Sequence, residues 1–263
     1  MLIFLKLGGS LITDKTRRRT PRLEVLARLM DEIAAARLER PDLELVLGHG
    51  SGSFGHVEAR KYGTRGGVRT AAEWRGFAEV QAAAGALNRL VVDAARAAGL
   101  PVFNLPPSAS AICRDGVIEM LALAPVQTAL ARGLAPLVFG DVAFDEARGG
   151  TIISTEDVFR YLAGALRPRR ILLAGIEPGV LTRWPDGEVI GRLGAGAAPA
   201  ALGGSHAADV TGGMASKVVE MQALVQSVPG ASVRIFSGAQ AGLVRQALLE
   251  EAQPGTLITA AGG

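Results

Sequence analysis

The chain has 263 residues, 49% of them hydrophobic and 5% aromatic, with a single cysteine and a formal net charge of +3. That length suits one large α/β domain, or two small lobes, around a substantial core, and a lone Cys113 excludes an internal disulfide framework and fits a reducing cytoplasm. No run approaches the roughly 18 uncharged apolar residues of a membrane span, no small-residue cleavage site follows a signal-like core, and the basic clusters Arg17-Arg18-Arg19 and Arg167-Pro168-Arg169-Arg170 lack aromatic neighbours, so neither membrane insertion nor nucleic acid is expected.

Leu2 to Leu7 is a short apolar run of strand composition, interrupted by Lys6. It stops at Gly8-Gly9, where the chain can turn and expose backbone N–H groups toward an anion. Thr20-Pro21 predicts the N-cap and first position of a helix reaching about Arg40. Leu43 to Leu47 is a second strand, and the glycine-rich run to His56 follows it. There Gly48, Gly50 and Gly52 allow close backbone approach, and Ser53 is placed to cap a helix whose positive end attracts negative charge. Two such cradles on neighbouring strands imply a substrate with several phosphates.

Gly50 to Gly55 also satisfies the G-x-G-x-x-G pattern of dinucleotide-binding folds. A dinucleotide site needs a second strand ending in an acidic residue about twenty positions on, whereas Thr70 to Ala98 reads as one long alanine-rich helix. Neither a Walker A sequence nor a Gly-x-Ser-x-Gly nucleophile elbow occurs.

Leu100 to Leu105 then reads as a strand, Arg114 to Val117 as a hairpin turn, and Leu134 to Phe139 as a strand ending at Gly140-Asp141. Gly149 to Asp157 leads into a helix through Leu166, and Arg170 to Ala174 is a strand. Pro185 to Glu188 is a hairpin turn, and Gly191 to Gly204 is expected to be a mobile small-residue loop. Asp209 to Lys217 opens a helix to about Ser227, followed by strand Ser232 to Phe236, a helix from Ala239 and a last strand, Gly255 to Thr259. Such alternation predicts an α/β fold, a three-layer αβα sandwich with a mostly parallel central sheet, in one domain of two lobes divided near residues 148 and 149.

Lys6-Leu7-Gly8-Gly9-Ser10, the glycine-rich loop, Ser154-Thr155-Glu156-Asp157 and Thr211-Gly212-Gly213-Met214-Ala215-Ser216-Lys217 occur in the order seen in the amino acid kinase superfamily, which the chain resembles over nearly its whole length. Within it, Gly52 to His56, Lys6 and Ile12-Thr13-Asp14-Lys15 resemble the isopentenyl phosphate kinase branch. Fosfomycin-phosphorylating kinases share much of this pattern.

The resemblance implies transfer of the γ-phosphoryl group of ATP to isopentenyl phosphate, giving isopentenyl diphosphate and ADP in isoprenoid biosynthesis. It also implies Mg2+ accompanying ATP, a cytoplasmic homodimer, an acceptor lobe over residues 1–148 and a nucleotide lobe over 149–263. A phosphate monoester has a second pKa near about 6, so the acceptor is already a nucleophile at neutral pH. Repulsion between two polyanions is the obstacle, and cations with N–H donors answer it.

By the same resemblance, Lys6 and Lys217 flank the β- and γ-phosphates, Lys15 neutralises the transferring group, His56 binds the acceptor phosphate and Asp157 orients the lysines, although the residue type and position of Asp157 suit a helix cap equally well. Gly8, Gly9, Ser10, Gly52, Glu177, Gly212 and Gly213 join Lys6 and Lys217 around ATP. Gly50, Ser51, Gly55, His56, Gly140, Asp141 and Thr155 surround the acceptor, with Asp141 near it or the magnesium ion, and no protein cage for the metal is expected. The chain has Thr155-Glu156 where the family often has glycine and aspartate, and Ile176-Glu177-Pro178 where an aspartate is common; the acidic character is kept. His49 is read as structural and His206 as loop surface.

Phe77, Ala78, Val80, Ala83, Ala84 and Leu87 form a helical stripe that suits either an apolar pocket for the acceptor's tail or simple core packing. Two other readings are a nicotinamide-dependent oxidoreductase, resting on Gly50 to Gly55, and a nucleotide sensor without turnover, against which the acceptor-side His56 argues.

Overall fold

A computed structural model describes residues 1–196 and 213–260. The first half of the chain forms β1 (Leu2–Leu7), the short α1 (Gly9–Ile12), β2 (Thr13–Asp14), β3 (Thr20–Pro21), α2 (Leu23–Glu39), β4 (Glu44–His49), α3 (Gly52–Tyr62), α4 (Ala71–Ala97), β5 (Val102–Asn104), β6 (Ile112–Arg114), β7 (Val117–Met120), α5 (Leu123–Ala131), β8 (Ala135–Phe139) and β9 (Asp141–Asp145). The second half adds β10 (Gly149–Ile153), α6 (Thr155–Leu166), β11 (Arg170–Gly175), β12 (Arg192–Gly194), α7 (Gly213–Ser227), β13 (Ser232–Ser237), α8 (Leu243–Leu249) and β14 (Thr256–Thr259).

Eight strands make one sheet in the order β12-β14-β13-β11-β1-β4-β8-β5, parallel except where β13 meets β14. Side chains alternate across it. Ile3, Leu5 and Leu7 join a core with Leu29 and Ile33 of α2, Val91 of α4 and Leu248 of α8. Phe4 points the other way, into a core with Val126 of α5, Phe159 of α6 and Leu224 of α7. Each fully buried leucine, isoleucine or phenylalanine stabilises the fold by roughly 1.5–3 kcal/mol. The three-layer sandwich read from the alternation is therefore the fold. Lys6 shares the Phe4 face by the same period of two, at the strand's C-terminal end, which sets its direction toward α6.

A second sheet, β10-β9-β6-β7, lies beside the first. Its β6–β7 turn sits at Asp115-Gly116, as the sequence indicates, with φ of 50° and 82°. The strand β9 carries little local signal, because only three apolar residues separate Asp141 from Asp145; pairing with β10 fixes it. That hairpin crosses the 148/149 boundary expected between lobes.

Four expectations change. The first long helix begins at Leu23, not Pro21, because Thr20–Pro21 pairs antiparallel with Thr13–Asp14. Ser53 does not cap α3 through its side chain: its N–H donates to Thr13 Oγ1 at 2.9 Å, while its own Oγ accepts the Thr20 N–H at 3.2 Å. The helix expected from Ala239 starts at Leu243, where the buried Glu32 carboxylate of α2 accepts the N–H groups of Gly242 (2.9 Å) and Val244 (3.0 Å). A carboxylate from another helix thus satisfies donors that no local side chain reaches. Within the expected loop from Gly191, Arg192–Gly194 instead pairs with β14, and residues 197–204, like His206, lie outside the described part.

Candidate active site

The C-terminal ends of β1, β4, β8 and β11 point to one edge of the sheet, where an open α/β sheet places its ligand crevice. They deliver Lys6 with Gly8, Gly9 and Ser10, then Gly50 and Ser51, then Gly140 and Asp141, then Gly175, to one cleft of about 850 Å³. Lys15, Gly55, Ser154, Thr155, Glu156 and Lys217 complete its polar wall. A smaller adjoining pocket shares Lys6, Gly8, Ser10, Glu156 and Lys217 and adds Glu177, Met214 and Ile235.

The two glycine turns meet backbone to backbone. A Cβ on Gly9 would lie 2.4 Å from the Gly52 nitrogen, so only glycine permits the contact. Gly52 therefore stands behind the cleft wall as a spacer and is not among the residues lining it, despite its expected place beside ATP. Thr13 fastens this junction: its hydroxyl donates to the Gly9 carbonyl at 2.7 Å and accepts the Ser53 N–H.

At the opposite wall, Ser154 and Asp157 form a reciprocal capping box on α6, with Asp157 accepting from the Ser154 N–H and hydroxyl, both at 2.8 Å. Asp157, expected to orient the lysines, is held by its own helix start. Its neighbour Glu156 takes the ion pair with Lys6 instead, and both are buried. Burial opposes the charge on Glu156, and Lys6 and Lys217 overcome it, so the carboxyl titrates below its ordinary range. The [ST]-x-x-[DE] pattern preceding an apolar run is the signal that commits Asp157 to a cap and leaves Glu156 for the cleft.

Thr155 anchors α6 to the glycine-rich strand by donating to the His49 carbonyl at 2.6 Å. The His49 ring is fully buried and stacks on Phe139 with centroids 5.3 Å apart. Asn88 of α4 donates to its Nε2 at 3.1 Å, leaving Nδ1–H for the Gly50 carbonyl, also at 3.1 Å. Burial and the nearby Lys6 charge lower its pKa to about 4, so it is a neutral brace.

Asp141 is buried, accepts from the Ser108 (3.2 Å) and Val142 (2.9 Å) N–H groups, and is pushed up by burial despite them. Burial likewise pushes Glu177 up, with Lys217 opposing. Glu220, one turn beyond Lys217 on α7, is raised to about 7 by burial and then by the charges of Asp157 and Glu156. Nothing in the local sequence distinguishes Glu220 or Asn88 as site residues; both depend on tertiary packing.

The apolar wall is Ala59, Val80, Ala84, Ile152 and Ile153. Only Val80 and Ala84 of the stripe on α4 reach it. Ala83 and Leu87 are buried and do not line it, Ala78 is exposed, and Phe77 packs against Trp74 and Phe144. Gly213 begins α7, whereas Thr211 and Gly212 lie outside the described residues. His56 follows Gly55 in the first turns of α3, and its side chain is likewise outside the described part.

Cations and turn N–H groups gather at the strand ends, with acidic helpers behind them and, among the described residues, no activated nucleophile beside them, which is the construction of a phosphotransferase. The chain belongs to the amino acid kinase family, whose model matches residues 1–237. It is 33% identical to isopentenyl phosphate kinase of Methanothermobacter thermautotrophicus, over 98% of this chain and 99% of the relative. Identity with isopentenyl phosphate kinase of Haloferax volcanii is 38%, over 98% of each chain. An X-ray structure of isopentenyl phosphate kinase superposes with a TM-score of 0.83 at 29% identity, covering 98% of this chain and all of that one. The family read from the four motifs is thus the one to which the chain belongs.

Proposed function

We propose that the protein transfers the γ-phosphoryl group of ATP to isopentenyl phosphate, forming isopentenyl diphosphate and ADP. The observation that carries this reading is one cleft with three lysines and turn N–H groups at its polar wall and Ala59, Val80, Ala84 and Ile152 at its apolar wall. A terminal phosphate on a short hydrocarbon has those two chemistries, and kinship with enzymes named for this reaction agrees.

ATP is assigned to the adjoining pocket, with Lys6, Gly8, Ser10 and Lys217 around its phosphates and Glu177 and Met214 on the nucleoside side. The acceptor phosphate is assigned to Gly50, Ser51, Gly55, His56, Gly140 and Thr155. An acceptor oxygen forms the new bond to the γ-phosphorus as the bond to the β,γ-bridging oxygen breaks, and ADP leaves with that electron pair. Lys6, held by Glu156, and Lys217 balance the charge collecting between the two anions, while Lys15 covers the transferring group from the β2–β3 turn.

Among the described residues no group of three or more His, Cys, Asp or Glu suits a metal ion; Mg2+ would be held mostly by phosphate oxygens, with Asp141, which lines the cleft, the candidate protein carboxylate. Bound there, the ion supplies charge neutralisation for the triphosphate. The division into acceptor (1–148) and nucleotide (149–263) halves, a homodimer and a cytoplasmic setting belong to the same reading.

A fosfomycin-type acceptor is the second reading, because that branch shares the motifs; the apolar wall disfavours so polar a ligand. ADP release with Mg-ATP plus isopentenyl phosphate, fosfomycin or no acceptor separates them. Turnover confined to isopentenyl phosphate and lost in His56→Ala is expected. Turnover with fosfomycin alone, or with neither, overturns the assignment.

A further inference from the structure

At the opposite end of the sheet two arginines are buried rather than solvated. Arg170 opens β11 and Arg234 lies in β13, and the register Arg170–Ser232, Leu172–Arg234, Arg234–Leu257 and Leu257–Arg192 puts all three arginines on one face. Arg170 and Arg234 are more than nine-tenths buried. With Arg169, Ser232 and Glu250 they line a polar pocket of about 660 Å³.

Structural duties account for part of this arrangement. Arg170 Nη2 donates to the Ala247 carbonyl at 2.9 Å, satisfying the end of α8, and Arg234 donates to the Pro254 carbonyl (3.0 Å) and Gln253 Oε1 (3.2 Å). Two facts exceed those duties. Arg170 Nη1 is buried without a hydrogen-bond partner, with Glu250 Oε1 3.5 Å away. And Glu250, itself half-exposed and shared with Arg40, is the carboxylate in the pocket wall against Arg169, Arg170 and Arg234, with Arg192 near enough to oppose the charge on Arg234. Glu39 and Glu251 are taken up by Arg245.

We propose that this pocket is a second anion site, separate from the phosphoryl-transfer cleft, that takes a phosphate-type dianion, either free or carried on a small phosphorylated molecule. Guanidinium groups donate charge-assisted hydrogen bonds to tetrahedral oxyanions, and a dianion balances positive charge that Glu250, the carboxylate in the pocket wall and shared with Arg40, offsets only in part. Gly175, at the other end of β11, lines the cleft, about 16 Å along the strand at roughly 3.3 Å per residue. Occupancy is therefore independent of the acceptor and of the reading given to the cleft.

The test is thermal unfolding of the full chain in inorganic phosphate and in glycerol 3-phosphate, each matched in ionic strength with chloride. It compares wild type, Ser232→Asp, which places a carboxylate in the pocket, and Arg169→Gln, an exposed change that keeps the fold if the first does not. A phosphate-specific rise in Tm that shrinks in the variants, with KM for ATP unchanged, is expected. The larger of the two rises identifies whether free phosphate or a phosphomonoester is preferred. A rise undiminished in both variants places binding in the cleft and overturns the proposal, as does no phosphate-specific rise in wild type.

Discussion

Helices α4 and α6 begin with the same device in different surroundings. Thr70 and Glu73 form a reciprocal capping box at an exposed start, and Ser154 and Asp157 form one at the wall of the cleft. On α4 the box does no more than begin a helix. On α6 it fixes the azimuth of a helix whose second residue, Glu156, must meet a buried lysine on another strand. The same local rule is thus a matter of tenths of a kcal/mol in one place and of active-site geometry in the other, and what separates them is the burial of the neighbouring residue.

Substitutions can break that contrast, beginning with the greatest effect. Lys6→Ala or Lys217→Ala is expected to lower kcat by about 10²–10³-fold, the usual loss when one electrostatic stabiliser is removed, measured as ADP release. Glu156→Ala removes the buried carboxylate that pairs with Lys6 and is expected to cost roughly 3–5 kcal/mol of stability in urea unfolding. Because the folded pKa of Glu156 is depressed, its contribution is present above the unfolded value and lost as pH falls through the folded one. Glu156→Gln should therefore differ from wild type at pH 7 and converge with it in acid.

Glu220 has the opposite sign. Its folded pKa of about 7 lies above the ordinary carboxylate value, so the folded state loses stability as pH rises from about 4.5 to 7. Glu220→Gln should raise Tm at pH 8 and leave it unchanged at pH 4; equal shifts at both would refute the assignment. Smallest are the caps. Ser154→Ala should cost about 1 kcal/mol and also lower kcat by disturbing Glu156, whereas Thr70→Ala should cost about 0.5 kcal/mol with kcat intact. A kcat loss in Thr70→Ala would erase the distinction between the two helices.

The sheet and its helices were legible because apolar runs such as Leu2–Leu7 and Leu45–Leu47 carry their own strand signal and glycines mark their ends. The cleft's polar rim was legible for the same reason, since its turns are local. What could not be read locally is held by distant partners. Glu32 reaches from α2 to start α8, Asn88 from α4 holds His49, and Thr13 fastens one glycine turn to another. Arg170 is legible as the start of a strand, but its burial is not, because its guanidinium is held by the carbonyl at a distant helix end. In the Glu156-Asp157 pair the local cue points Asp157 to the cap, whereas the pairing of Glu156 with Lys6 depends on a strand more than a hundred residues away.

The meeting of Gly9 and Gly52 has one more consequence. With no side chain between them, the spacing of the two turns is set by backbone touching backbone, a fixed gauge that ordinary substitution cannot stretch or shorten. Under the proposed reaction, the gap across which phosphorus travels is a constant of the scaffold. The walls at Ala59, Val80, Ala84 and Ile152 are free to drift with no bearing on that gap. Such an enzyme can change whom it serves without changing how it performs the transfer.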